Sequence, residues 1–135
     1  ARPVRVAGGL RFASLSAGAD HVCGVATSGR VYCWGSNGDA EFGAGTRGTS
    51  SGVPVVAAGG RAFASVSGGN DFTCAVTAAG EGRCWGYDGF GNLGDSTRIS
   101  SGNTLNPTPQ RVAGGHAWRA IAASQHYACG VTVTG

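Results

Sequence analysis

The sequence predicts an all-β chain of propeller type, and three observations carry that prediction. Glycine supplies 26 of the 135 residues while methionine is absent and charges are sparse, the composition of a turn-rich chain with β-branched strands and no long helix-forming run. Self-comparison aligns FASLSAGADHVCGVATSGRVYCWG from Phe12 with FASVSGGNDFTCAVTAAGEGRCWG from Phe63, and WRAIAASQHYACGVTVTG from Trp118 begins a third copy. The offsets, 51 and then 55 residues, suit propeller blades and are long for most helical solenoids.

The length fits a single repeat domain over residues 1–135, with repeat 1 about 2–51, repeat 2 about 52–106 and a partial repeat 3 about 107–135. Each unit opens on a β-like lead, RPVRVAGG at Arg2, GVPVVAAGG at Gly52 and PTPQRVAGG at Pro107. Strands are expected over residues 4–7, 12–16, 22–26 and 31–34, with the same set downstream. The Ser/Thr/Gly-rich stretches TRGTSSG from Thr46 and STRISSGNTLNPTP from Ser96 are expected to be solvated connectors, with surface binding or O-linked sugar as their functional alternative.

Hairpin geometry can be counted directly. With Thr27-Ser28-Gly29 as a three-residue loop and glycine in the left-handed position, residues 26 and 30 pair and Cys23 faces Cys33. The loop Ala78-Ala79-Gly80 likewise sets Cys74 against Cys84. Two cross-strand disulfides are the favoured reading, with Cys129 left over as an intermolecular disulfide partner or a buried thiol. A zinc site lacks close ligand spacing, and buried free thiols are the third option. Disulfides imply an extracellular, cell-surface or periplasmic setting. Strand alternation points Cys23, Val25, Val31 and Cys33 to one face and Val22, Gly24, Ala26, Tyr32 and Trp34 to the other. Both faces are apolar or small, so such a sheet must be covered on both sides.

HVCGVATSGRVYCWGSN and CWGYDGFGNLGDST resemble the repeats of the RCC1-like β-propeller family. The matching positions are Gly18, His21, Gly29, Val31, Tyr32, Trp34, Gly35, Asn37 and Gly43, then Gly69, Gly80, Trp85, Gly86, Gly91, Leu93 and Gly94. The cysteine-bearing repeat is similar to those of secreted bacterial members. The resemblance implies four-stranded blades, commonly about seven to a ring, acting as protein-interaction platforms. About two and a half repeats cannot close a ring, so the blades are expected to stay open unless other chains or missing sequence complete them. The third hairpin stops on its turn glycine and leaves an unpaired strand edge. A fragment of a longer propeller, a subunit completed by its neighbours and an isolated monomer are the three explanations.

No catalytic centre is expected. His21 and His126 fall near equivalent points of their repeats, where the middle unit has Phe72, which argues for a structural slot; Asp20, His21 and nearby serines lack a nucleophile-elbow context. NGDAEFG from Asn37 resembles the opening of a calcium loop but lacks the sixth-position glycine and terminal glutamate, so a turn is expected. Phe12, Phe63, Trp34, Trp85 and Trp118 are assigned to blade packing. No cofactor and no metal are expected. The net charge of +3 is scattered over arginines, which makes no nucleic-acid footprint, and no apolar run approaches a membrane span. The expected function is non-enzymatic: an extracellular structural protein associating head to tail through its open blade edges into a ring or filament. The alternative is a fragment of a larger propeller that binds a protein or inhibits an enzyme.

Overall fold

In a computed structural model, which describes residues 2–96 and 104–135, the strands follow the repeats. Strands β1 (Phe12–Ala17), β2 (His21–Ala26), β3 (Val31–Gly35) and β4 (Ser51–Val56) form one antiparallel sheet in that order. Strands β5 (Ser65–Gly68), β6 (Phe72–Val76), β7 (Gly82–Tyr87) and β8 (Leu105–Arg111) form a second, and β9 (Trp118–Ala123) with β10 (Ala128–Thr132) a third, two-stranded one. The chain is thus all-β, with about two and a half open blades.

The hairpin turns set the register. Gly29 has φ 84°, its N–H donates to Ala26 O at 2.8 Å, and Ala26 N–H donates to Arg30 O at 2.8 Å. Cys23 therefore pairs with Cys33 and Cys74 with Cys84, and each pair is disulfide-bonded with Cα atoms 4.1 Å apart. The third copy closes the same turn, Gly135 N–H donating to Thr132 O at 3.2 Å. Each complete hairpin ends on a glycine that its geometry requires. Gly35 and Gly86 have φ 98° and 106°, and a Cβ there would stand 2.4 Å from Asp20 O and 2.7 Å from Asp71 O.

The sheets run out of phase with the sequence units. The segment that opens the second unit becomes β4, the outer strand of the first sheet, pairing Cys33 with Val55. The segment ahead of the third unit becomes β8, pairing Cys84 with Gln110. Residues 105–109, within the stretch expected to be a connector, are thus strand, while residues 97–103 lie outside the described residues. Pro54, Pro107 and Pro109 are tolerated because these are edge strands. Phase also corrects one expectation. Residues 4–7 form no strand: their counterparts β4 and β8 pair with the third strand of a preceding sheet, and none of the three sheets precedes these residues.

The three sheets pack in sequence through two interfaces. The disulfide face of the first sheet, with Cys23, Val25, Val31 and Cys33, is buried against Phe63, Val66, Ala75 and Trp85 of the second unit. Phe72, Cys74, Cys84 and Leu93 are in turn buried toward the third sheet, against Ile121 and Ala128. The steps repeat atom for atom. Phe63 N–H donates to Gly29 O at 2.9 Å and Trp118 N–H to Gly80 O at 2.8 Å, while Ser16 Oγ accepts from Gly68 N–H and Ser67 Oγ from Ala123 N–H.

One polar joint locks the first interface. The loop after β3 folds over the second sheet, fixed by Phe42 N–H donating to Asn37 Oδ1 at 3.0 Å. This brings the Glu41 carbonyl to the indole of Trp85, whose Nε1–H donates at 2.7 Å, and to Thr73, whose hydroxyl donates at 2.9 Å. With the Thr73 proton spent there, the 2.9 Å contact to His21 is donated by His21 Nε2–H, which leaves the buried Nδ1 bare. Burial pushes the His21 pKa down to about 4, against the pull of Asp71 and Asp20. Gly43 is required beside this joint: its φ is 63° and a Cβ would lie 2.6 Å from the Trp85 ring.

Two outcomes follow for stability. Trp85→Phe removes the indole donor and part of a fully buried ring, and is expected to cost about 2–3 kcal/mol in denaturant unfolding. Trp34→Phe, at the half-buried equivalent position, is expected to cost under about 1 kcal/mol; equal losses would show that the joint adds nothing. Acid is the second test. The unfolded chain takes up the His21 proton near 6.5 and the folded chain only near 4, so this group's contribution is lost as pH falls through that window, by about 3 kcal/mol in all. Glu41, whose carboxyl is raised by burial, works in the opposite sense over the lower part of that window. His21→Phe, which copies Phe72 of the second sheet, is expected to keep the fold and shed most of the acid loss. Melting curves at neutral and acid pH check this, and an unchanged acid loss would assign it to another group.

Candidate interaction surfaces

The interior interface is an internal standard for what lies open elsewhere. On the second sheet, Phe63, Val66 and Trp85 are buried beneath the first. The same repeat positions on the first sheet are Phe12, Leu15 and Trp34, and no sheet among the described residues covers them. Leu15 is 55 % exposed against 9 % for Val66. Phe12 packs only within its own sheet, 5.7 Å from Trp34 and 6.4 Å from Tyr32 between ring centres, and it occupies with Leu15 the space a Cβ on Gly24 would need.

The far side of the third sheet is the converse. Cys129 and Val131 stand where Cys74 and Val76 are buried in the second sheet, yet Cys129 is a free, exposed thiol and Val131 is 42 % exposed against 3 % for Val76. One end therefore presents the aromatic partner of a blade interface and the other its cysteine-and-aliphatic partner. One rung of the repeating step is missing at this second end: Ala122 replaces the Ser16 and Ser67 hydroxyls.

Of the packing residues expected from sequence, Phe63 and Trp85 are fully enclosed, while Phe12, Trp34 and Trp118 are half-buried. Trp118 sits at the second interface, 5.5 Å from His116 between ring centres. The histidines part company. His21 is buried at the joint, whereas His126 is exposed against Phe90, ring centres 4.6 Å apart, and Tyr127 occupies the true counterpart of His21 and Phe72. With its Nε2–H given to Thr73 and its ring shut away, His21 has no geometry for a general base acting on a bound substrate.

Reading the sequence missed one cluster. Asp39, Glu41 and Asp71 bring carboxylate oxygens within 4.8 Å of one another, because the loop after β3 reaches across to the second blade. Glu41 Oε2 accepts the Asp39 N–H at 2.9 Å and Asp71 accepts from the Asn70 side chain. Three carboxylates, two of them already accepting hydrogen bonds from the protein, fall short of the six to eight oxygens that calcium takes. The cluster is a by-product of the joint. No helix among the described residues is long and apolar enough to cross a membrane.

Comparison with known proteins accords with this architecture. The regulator of chromosome condensation (RCC1) repeat matches residues 12–41 in one form and 28–76 in another. The chain is 30 % identical to the ultraviolet-B receptor UVR8 of Arabidopsis thaliana over 98 % of its own length, and it spans 30 % of that protein. Among solved structures, human WBSCR16 matches at 21 % identity with a TM-score of 0.81, over 95 % of this chain and 32 % of that one. Prp20p of Saccharomyces cerevisiae, the yeast RCC1, matches at 17 % identity and a TM-score of 0.75, over 96 % of this chain and 33 % of that one. Repeat matches, a relative alike over nearly the whole length of this chain and blades stacked as in these structures agree that the chain carries RCC1 repeats and has the fold of an RCC1-like propeller segment.

Proposed function

We propose that the chain is a non-catalytic propeller segment that works by binding protein through its two uncovered blade faces. The observation that carries this reading is the contrast between equivalent positions: Val66 and Val76 are shut inside blade interfaces, while Leu15 and Val131 lie open. Open apolar faces backed by a rigid, disulfide-braced sheet are contact surfaces, since contiguous apolar patches on soluble proteins mark association sites. Prp20p has binding properties toward Gsp1p and histones, which supports a binding role for blades of this kind. The two disulfides favour an extracellular, cell-surface or periplasmic setting.

A second reading is favoured by the complementarity of the faces. An aromatic end and a cysteine-and-aliphatic end are the two halves of the interface already made between the first and second sheets, so copies can stack head to tail. Such contacts give rings or filaments according to the rotation per copy.

Light scattering separates the readings. Head-to-tail association predicts a mass above that of one chain, monomers for either Leu15→Arg or Val131→Arg alone, and a dimer when the two variants are mixed, because each keeps the face the other lacks. A wild type that stays monomeric but binds the dye ANS in its folded state retains open faces for a different protein. A folded monomer that binds no ANS overturns the proposal.

A further inference from the structure

We infer that the turn between β2 and β3 carries a docking site for an acidic segment of a partner protein, formed by Arg11, Arg30 and Arg61. These residues are far apart in sequence, and the backbone brings them to one turn. Thr27 N–H donates to Arg11 O at 2.9 Å, Arg30 follows the turn glycine Gly29, and Arg30 bridges Ala62, the neighbour of Arg61. Arg61 N–H donates to Ala58 O at 3.2 Å, so each arginine stands on hydrogen-bonded backbone. All three residues are exposed, and among the described residues no carboxylate pairs with them.

Charge is sorted between the two ends of the blades. Six of the seven acidic residues lie at the other end: Asp20 and Asp71 in the turns before β2 and β6, Asp39 and Glu41 in the loop after β3, Asp88 and Asp95 in the loop after β7. An acidic segment is attracted to one end and repelled by the other, which fixes its side of approach. The openness of the arginine turn does not depend on what packs against the first sheet. At the second hairpin, which the first sheet covers, the corresponding residues stay accessible: Ala62 and His116 are exposed, and the Glu81 side chain is 31 % exposed. Ala62, Glu81 and His116 stand there in place of Arg11, Arg30 and Arg61, so the cluster is particular to the first hairpin. A phosphate backbone is tracked by a continuous positive stripe, whereas this charge is confined to one turn and met by a carboxylate at the next. Val56, 44 % exposed, pairs with Tyr32, two residues from Arg30. Guanidinium groups beside an open aliphatic side chain are the make-up of a protein interface, in which arginine grips a carboxylate through two parallel hydrogen bonds.

This site rests on the protein-binding role proposed above but uses a surface apart from the blade faces. It is tested by fluorescence anisotropy with a labelled peptide of glutamates interrupted by valine and leucine. The wild-type chain is expected to bind it at low salt, with an affinity that falls as salt rises. Arg11→Gln, Arg30→Gln and Arg61→Gln together are expected to weaken binding roughly tenfold or more. A second variant, with Arg47→Gln, Arg111→Gln and Arg119→Gln, loses the same net charge from exposed positions outside the cluster and is expected to bind within about threefold of wild type. Circular dichroism checks that both variants fold, as exposed substitutions should. Equal losses in the two variants would reduce the effect to net charge and overturn the proposal. So would the absence of binding by the wild type, or tighter binding of an oligonucleotide or heparin fragment of matched charge, which would assign the cluster to phosphate or sulfate. Light scattering reports association through the blade faces separately, so failure of that reading leaves this result untouched.

Discussion

The structure turns on one carbonyl oxygen. Glu41 O accepts from Trp85 and from Thr73, and Thr73 accepts from His21, so four side chains or loops from two blades are fixed around a single acceptor. A propeller interface built of aliphatic contacts alone would be free to slide, because dispersion has no direction. A buried indole N–H left without an acceptor costs about 1–3 kcal/mol, which makes one registration of the loop strongly preferred. The loop geometry then follows: Asn37 holds Phe42, Gly43 lies flat on the Trp85 ring, and three carboxylates are brought together as a consequence.

That constraint explains why equivalent residues have different fates. Trp34 and Trp85 follow a disulfide-bonded cysteine on the third strand of their sheets, but only Trp85 meets a loop from a preceding blade. Trp34 lies half-buried with Phe12 and Tyr32, the best a sheet can do with an apolar face that no neighbour covers. The disulfides brace each hairpin from the opposite face. They cross-link strands already paired in register, so the gain is in rigidity of the face offered to the next blade and in loss of unfolded-chain freedom, worth about 3 kcal/mol for a loop of this order.

Much of this is legible in the sequence because it depends on local counting. The position of Gly29 fixes the turn, the turn fixes the register, and the register puts Cys23 against Cys33; none of these steps needs a distant residue. Phase is harder. Whether the Val55 segment joins the sheet before it or after it cannot be read from a strand pattern that is the same in either case, and the strand expected at residues 4–7 joins none of the three described sheets. The joint is out of reach for a different reason: its acceptor is a main-chain oxygen, which leaves no signature in residue type. The acidic cluster is hidden because Asp71 reaches Asp39 only through the stacking of two blades.

The variation among units says where strict complementarity is needed. His21 and Phe72 occupy one slot, both buried, yet only the histidine has a hydroxyl in reach on the next sheet: Thr73 stands opposite His21, whereas the corresponding residue for Phe72 is Ala128. A polar pair and an apolar pair thus solve the same packing problem at successive interfaces, and each is internally consistent. A histidine facing Ala128 would bury an unmatched N–H, whereas a phenylalanine facing Thr73 leaves a hydroxyl that still donates to Glu41 O. The interfaces are therefore interchangeable in backbone geometry but not in side-chain chemistry, and a neighbouring blade is recognised by the match at this slot as well as by the apolar surface around it.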